Sequence, residues 1–484
     1  MPPVDRSQVR AAGAAPGESR PPSREPILPF PQRQAKAIAP VPTRPALSAI
    51  HSETAAGLWL RHLVGEQAFE AAASAAARHG TRVHTELLAA GRLEPARYAQ
   101  ALAQALDVPC ALHLEALHAP VAQSDAAAPI TAWMGRAGTA RAVIDATTHA
   151  PDIVAAHLAR LRARGIACCL APRSAIEQAS ESLARAARID AAVNELRRTQ
   201  PESSAASGWH TWQVLLPIMA LGAAAGSIMV VPEAAVAGIG TVVALPFLAV
   251  TVLRLLALRE IVRIRRKRRH ERRALPAFAL PRYSVLVPLF RESAVIPDLV
   301  AALGALDYPR TKLEVLLLIE SVDLETQAAL LKQRLPPHFK VIEVPDCAPR
   351  TKPKALNYAL GFASGDLLVV YDAEDRPQPS QLRHAAEVFA SAAADVGCVQ
   401  ARLNIYNPGQ SWLSRQFTIE YSALFDAILP SLERHGLPIP LGGTSNHFRG
   451  IMQQAHLAKQ FKNLAFLDLH NLQTRFAQIR GCRQ

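Results

Sequence analysis

The chain has 484 residues, 50% of them hydrophobic, and its 53 Lys and Arg against 40 Asp and Glu leave a formal net charge of +13. That length accommodates two or three domains. Six cysteines without C-x-x-C spacing (Cys110, Cys168, Cys169, Cys347, Cys398 and Cys482) exclude a disulfide framework and read as reduced thiols. The densest positive run lies beside an apolar stretch, which argues against a general nucleic-acid coat and for a membrane topology signal.

In chain order, residues 1–55 are rich in Pro, Ala, Arg and Ser, with too little apolar surface to offset the entropy of ordering; they read as a disordered tail. No apolar run follows Met1, so no cleaved signal peptide is expected. Over 56–198, Leu, Ala and Ile recur at three- and four-residue spacings, which predicts a small, mostly helical domain. Residues 199–210 form a polar linker. Two uncharged stretches follow within 211–258, at 212–231 and 234–253, each about 20 residues and long enough to span a bilayer as a helix. Together they predict a two-helix transmembrane hairpin; a buried helical hairpin in a soluble protein is the bland alternative. The juxtamembrane segment 259–280 is dense in Arg, with Arg263, Arg265, Arg266, Lys267, Arg268 and Arg269 among its cations. The positive-inside rule places that end, and both flanking domains, in the cytosol, with contact to anionic membrane lipids. No nucleic-acid partner is expected, although RNA binding or a solvated helix face remains the other reading of the run.

From Tyr283 onward β-rich and helical runs alternate: YSVLVPLF, LEVLLLIE, KVIEV and DLLVVYD are separated by helical segments including TKPKALNYALGFA. This order predicts an α/β domain with a doubly wound, mostly parallel sheet, whose ligands bind outside the carboxyl ends of the strands. Strand DLLVVYD ends in Asp372, Glu374 and Asp375. Crowded carboxylates repel one another unless a cation sits there, and hard oxygens suit Mg2+ or Mn2+ bridging a diphosphate; an ordinary acidic turn is the alternative. LEVLLLIE ends in Glu320, with Asp323 close behind, and such a carboxylate can hold a ribose or base. Lys352 and Lys354 open a helix that continues through Asn357, suiting diphosphate neutralisation. Gly442, Gly443 and Thr444 form a loop able to approach a sugar closely, or a simple turn.

In this order and spacing the segments YSVLVPLFRE, Glu320, K-x-K-A-L-N, YDAEDRPQP and LGGTSNHFR resemble glycosyltransferase family 2, of the cellulose-synthase-like exopolysaccharide synthase type, over 281–449. The resemblance implies a cytosolic GT-A fold at a bacterial inner membrane that binds a UDP- or GDP-sugar. It puts Asp372 with Glu374 or Asp375 on the metal, Glu320 near the nucleoside, and Lys354 near the phosphates. It also implies inverting transfer of a hexose to a glycan acceptor. Residues 56–198, through HGTRVHTELLAAGRLEPARYAQALAQAL, are similar to the N-terminal domain of type II secretion and pilus assembly ATPases. Some of those bind cyclic di-GMP through R-L-G; here the stretch is Arg82-Val83-His84, leaving a docking module, with a polysaccharide export partner, as the other expectation.

The family's T-E-D and Q-x-x-R-W motifs are absent after 449. Asp468 is the one acid beyond Glu433 and hence the candidate general base. Residues 450–484 therefore read as a non-matching tail without a sheet-forming return, and the chain as truncated or frameshifted. A catalytically inactive membrane scaffold that binds partners or a nucleotide is the alternative function.

Overall fold

A computed structural model describes residues 53–114, 129–134, 141–201, 204, 208–267, 274–393, 396–449 and 475–479. The N-terminal region opens with four helices: α1 (Glu53–Val64), α2 (Glu66–His79), α3 (Val83–Ala89) and α4 (Pro95–Ala105). Pro95 sits in the first turn of α4, where a missing N–H costs nothing. The region is less helical than its periodicity predicts. Three short strands, β1 (Thr131–Met134), β2 (Arg141–Asp145) and β3 (Cys168–Ala171), form a sheet with β2 central, antiparallel to β1 and parallel to β3. Helix α5 (Pro151–Ala163) makes the β2–β3 crossover. Strands of four or five residues in an Ala-rich context leave no alternation for sequence to show. Leu87, Tyr98, Leu102, Ile144, Leu158 and Leu170 close the core between helices and sheet. Helix α6 (Arg173–Thr199) then leaves this body.

Helices α7 (Thr211–Val230) and α8 (Pro232–Lys267) follow as the expected apolar pair, both long and apolar enough to cross a membrane and essentially unburied by the rest of the chain. The second helix does not stop where its apolar stretch does. Its 36 residues extend about 54 Å at 1.5 Å per residue, beyond a hydrocarbon core of about 30 Å, so the arginines through Arg266 continue the same helix.

The C-terminal region contains β4 (Tyr283–Leu289), α9 (Ile296–Gly304), β5 (Leu313–Glu320), α10 (Leu324–Leu331), β6 (Phe339–Val344), α11 (Lys352–Ala359) and β7 (Leu367–Val370). Next come α12 (Gln381–Ser391), β8 (Val396–Ala401), α13 (Trp412–Ala423), a π-helical turn at Leu424–Ile428, α14 (Leu429–Arg434), β9 (Asn446–Arg449) and β10 (Arg475–Ile479). The sheet order is β10-β8-β9-β7-β4-β5-β6. Strands β4, β5, β6 and β7 are mutually parallel, while β9 runs antiparallel between β7 and β8. The central strands are buried on both faces, which is why β4 and β5 read as near-continuous apolar runs. Strand β10 corrects the expectation of a tail with no return to the sheet: it pairs in parallel with β8 at the edge. Leu253 of α8 packs against Phe425, Leu429 and Leu432, joining this domain to the charged end of the hairpin.

Candidate functional site

Strand β4 has β5 on one side and β7 on the other, so the direction of winding reverses between β4 and β7. The crevice outside the carboxyl ends at such a reversal is where open α/β sheets bind ligands. Three segments converge there. The loop after β4 carries Arg291 and Glu292, the loop after β7 carries Asp372 to Asp375, and the Gly442–Ser445 turn arrives because antiparallel β9 begins beside Val370, opposite Asn446.

Asp372 pairs with Lys352, whose Nζ also donates to the Gly443 carbonyl oxygen at 2.7 Å. The Asp372 amide donates to Asp375 Oδ2 at 2.8 Å and to Thr444 Oγ1 at 3.2 Å, and the Thr444 hydroxyl donates to Asp375. Burial pushes the Asp375 carboxyl up to about 6, against the lowering effect of the Thr444 and Asp372 hydrogen bonds. Asp375 therefore shapes the turn, while Glu374 is exposed at the mouth. A Cβ on Gly442 would lie 2.8 Å from Gln400 Nε2, so a side chain there would push the Gln400 amide aside.

Among the described residues no group of three or more Asp, Glu, His or Cys converges as a preformed metal cage. Asp375 gives Oδ2 to the turn, which leaves one of its two oxygens for the expected trio. Asp372 and Glu374 remain, and a hard divalent ion that takes its other ligands from water and a diphosphate needs only one or two carboxylates. The donor set fits Mg2+ or Mn2+ on that basis. Glu292 strengthens the fit, and motif reading had not singled it out. Its carboxyl is raised above the usual range by burial first and then by Glu374, Asp372 and Asp323, so negative charge is concentrated at this mouth. Its position immediately after an apolar strand was the available signal.

Other expected residues make buried or part-buried contacts of their own. Lys354, expected near the phosphates, is 2% exposed, and its Nζ donates to Glu320 Oε2 at 2.8 Å and to the Cys347 carbonyl oxygen at 3.0 Å. Glu320 is equally interior, its carboxyl raised by burial against the lowering influence of Lys354. The two lysines are two positions apart, about 200° around a helix, so only one can face the crevice. Asp323 is buried as the N-cap of α10, accepting from the Thr326 amide at 3.2 Å, and it also accepts from the Arg291 amide. That second bond holds Arg291 in a left-handed conformation at φ 60° and pins the loop bearing Glu292. Asn357 faces α6, donating to the Ala192 carbonyl oxygen at 3.1 Å. Asp468 lies outside the described residues. His84, in the stretch compared with R-L-G, is 1% exposed and stacked on Tyr98, so it is core rather than a ligand-facing group.

Residues 281–471 match the family described as glycosyltransferase like family 2, so the chain carries a glycosyltransferase family 2 domain with a GT-A-like, mixed and mostly parallel sheet. The match continues 22 residues (471 less 449) past the boundary expected from the motifs. A beta-monoglucosyldiacylglycerol synthase from Synechocystis is 32% identical over 137 residues, covering 28% of this chain and 28% of that protein. The probable glycosyltransferase YdaM of Bacillus subtilis is 27% identical over 143 residues, 29% of this chain and 34% of its own length. The chain thus spans about a third of the curated relatives it matches. Among solved structures, a mannosyltransferase from Pyrobaculum calidifontis in complex with GDP-Man and Mn2+ is 24% identical, covers 42% of this chain and 55% of that one, and superposes with a TM-score of 0.32.

Proposed function

We propose that the chain transfers a hexose from a UDP- or GDP-sugar to a growing polysaccharide at the cytosolic face of a bacterial inner membrane, by direct inverting displacement. The observation that carries this reading is the convergence of Asp372, Lys352, Gly443 and Thr444 at the carboxyl ends of the reversal-point strands, inside a glycosyltransferase family 2 domain. Asp372 and Glu374 would hold Mg2+ or Mn2+, which when bound neutralises the departing diphosphate. Lys352 and the positive N-terminal end of α11 add positive charge to the same group. Thr444 and Asp375 fix the orientation of the Asp372 loop, and Gly442 and Gly443 let backbone approach the sugar. Asp468 is the proposed acceptor of the proton from the attacking hydroxyl.

The acceptor has a second reading, a membrane lipid. Helix α13 buries none of its residues and exposes Trp412, Leu413, Phe417 and Ile419, while the turn and helix that continue it pack against α8. Such a face, joined to an apolar hairpin, suits contact with a lipid surface, and the Synechocystis relative is named for glucosylating diacylglycerol. Calorimetric titration of the folded chain with UDP and GDP, with and without Mn2+, tests the donor site. Uptake is expected only with metal and is lost in Asp372→Asn; no metal-dependent uptake would overturn the reading. Binding without sugar release to either a glycan or a lipid acceptor would favour an inactive membrane scaffold.

A further inference from the structure

Asn357 and Tyr358 lie in the helix that opens the donor site, yet both make their side-chain hydrogen bonds to the N-terminal region. Helix α6 is the element they meet. Its first half belongs to the N-terminal body, where Ile176 and Ala179 pack with Val143, Cys169 and Ala171. Its second half lies along α11, with Ile189 and Ala192 packed against the cluster of Ala355, Leu356, Tyr358 and Ala359. Asn357 Nδ2 donates to the Ala192 carbonyl oxygen at 3.1 Å, the Tyr358 hydroxyl donates to Glu181 at 3.2 Å, and the Arg188 guanidinium lies 4.6 Å above the Phe362 ring. Glu177 of α6 also pairs with Lys340 of β6 at 3.3 Å. A second contact blocks rotation about this seam, because Thr311 donates to the buried Glu86 of α3 at 3.0 Å.

The far end of α11 is Lys352, bound to Asp372 and the Gly443 carbonyl. From Lys352 to Asn357 is five residues, about 7.5 Å of helix at 1.5 Å per residue. One short, stiff element therefore has its first residue in the donor crevice and its flank under a helix of another body. We propose that α6 is a working part of the donor site: its contact with α11 sets the position of Lys352, making Arg188, Ile189 and Glu181 positioning residues for diphosphate binding. The inference rests on the donor reading above and extends it to a region outside the matched family segment, 281–471.

The test uses the full chain in detergent and reads the dissociation constant for UDP or GDP with Mn2+. Arg188→Ala removes the stack on Phe362 and touches nothing in the crevice; Ile189→Asp disrupts the packing more strongly. Each is expected to weaken nucleotide binding by about five- to tenfold, with Ile189→Val retaining wild-type affinity. The decisive comparison places Arg188→Ala on a Lys352→Ala background. A residue acting through Lys352 has no further effect there, whereas independent, distant effects multiply. Multiplying losses would overturn the inference, as would wild-type affinity in Arg188→Ala, whatever its melting temperature. If Ile189→Asp does not fold, the Arg188→Ala cycle decides alone. Failure of the unaltered chain to bind nucleotide with metal would instead remove the donor reading and this inference with it.

Discussion

Removing the Lys354 ammonium separates the two accounts of that residue. Its side chain and that of Glu320 are 1% and 6% exposed, with 2.8 Å between Nζ and Oε2. Lys354→Met would strand the Glu320 carboxylate in the interior, and breaking a buried ion pair from one side costs about 3–5 kcal/mol. At about 2–4 °C per kcal/mol for a domain of this size, the transferase domain would melt roughly 10 °C lower. Lys354→Met combined with Glu320→Leu removes both charges and should recover most of that loss, since well-packed apolar replacements of buried pairs are often neutral. Thermal unfolding in detergent, followed by circular dichroism, measures both variants. Nucleotide affinity of the folded Lys354→Met chain should fall far less than that of Lys352→Met. An unchanged melting temperature with abolished nucleotide binding would refute the reasoning and return Lys354 to the phosphates.

Three further outcomes are expected. Thr444→Val removes the hydroxyl shared by the Asp372 amide and the Asp375 carboxylate; leaving those groups short of a partner should cost about 1–3 kcal/mol and weaken metal-dependent nucleotide uptake, both read by calorimetry. Glu292→Gln should leave the melting temperature within about 1 °C, as expected for a change away from the core, while reducing Mn2+ affinity in the presence of UDP, read by metal titration. Burial first, then Arg82, lowers His84 to about 4 from 6.5, so the native imidazole is neutral and binds fewer protons than the unfolded chain. The stability this reflects is intact above about 6.5 and is lost at up to about 1.4 kcal/mol per pH unit as pH falls toward 4. His84→Phe should flatten that slope in melts between pH 7 and 4.5; parallel curves would count against it.

The sequence by itself determined the mostly parallel sheet, the pair of long apolar helices and the strand end that carries the candidate site. Strands buried on both faces, such as β5, must be apolar throughout, and a helix able to cross a bilayer must be long and uncharged, so both are written as composition. Asp372 was legible because it ends such a strand, and strand ends mark the crevice. Only the tertiary structure decided which residues of α11 face that crevice. Lys352 reaches Asp372, Lys354 turns inward to Glu320, and Asn357 turns to α6. The motif contains all three, but a helix presents several faces, and the neighbours that claim each face come from β5, β7 and a helix more than 150 residues earlier in the chain. The same holds for Asp375, whose Oδ2 accepts from Thr444 only because β9 brings that residue beside it. Local pattern selects strands and helices because burial acts on periodicity; the partner of a buried charge is set by packing between elements distant in sequence.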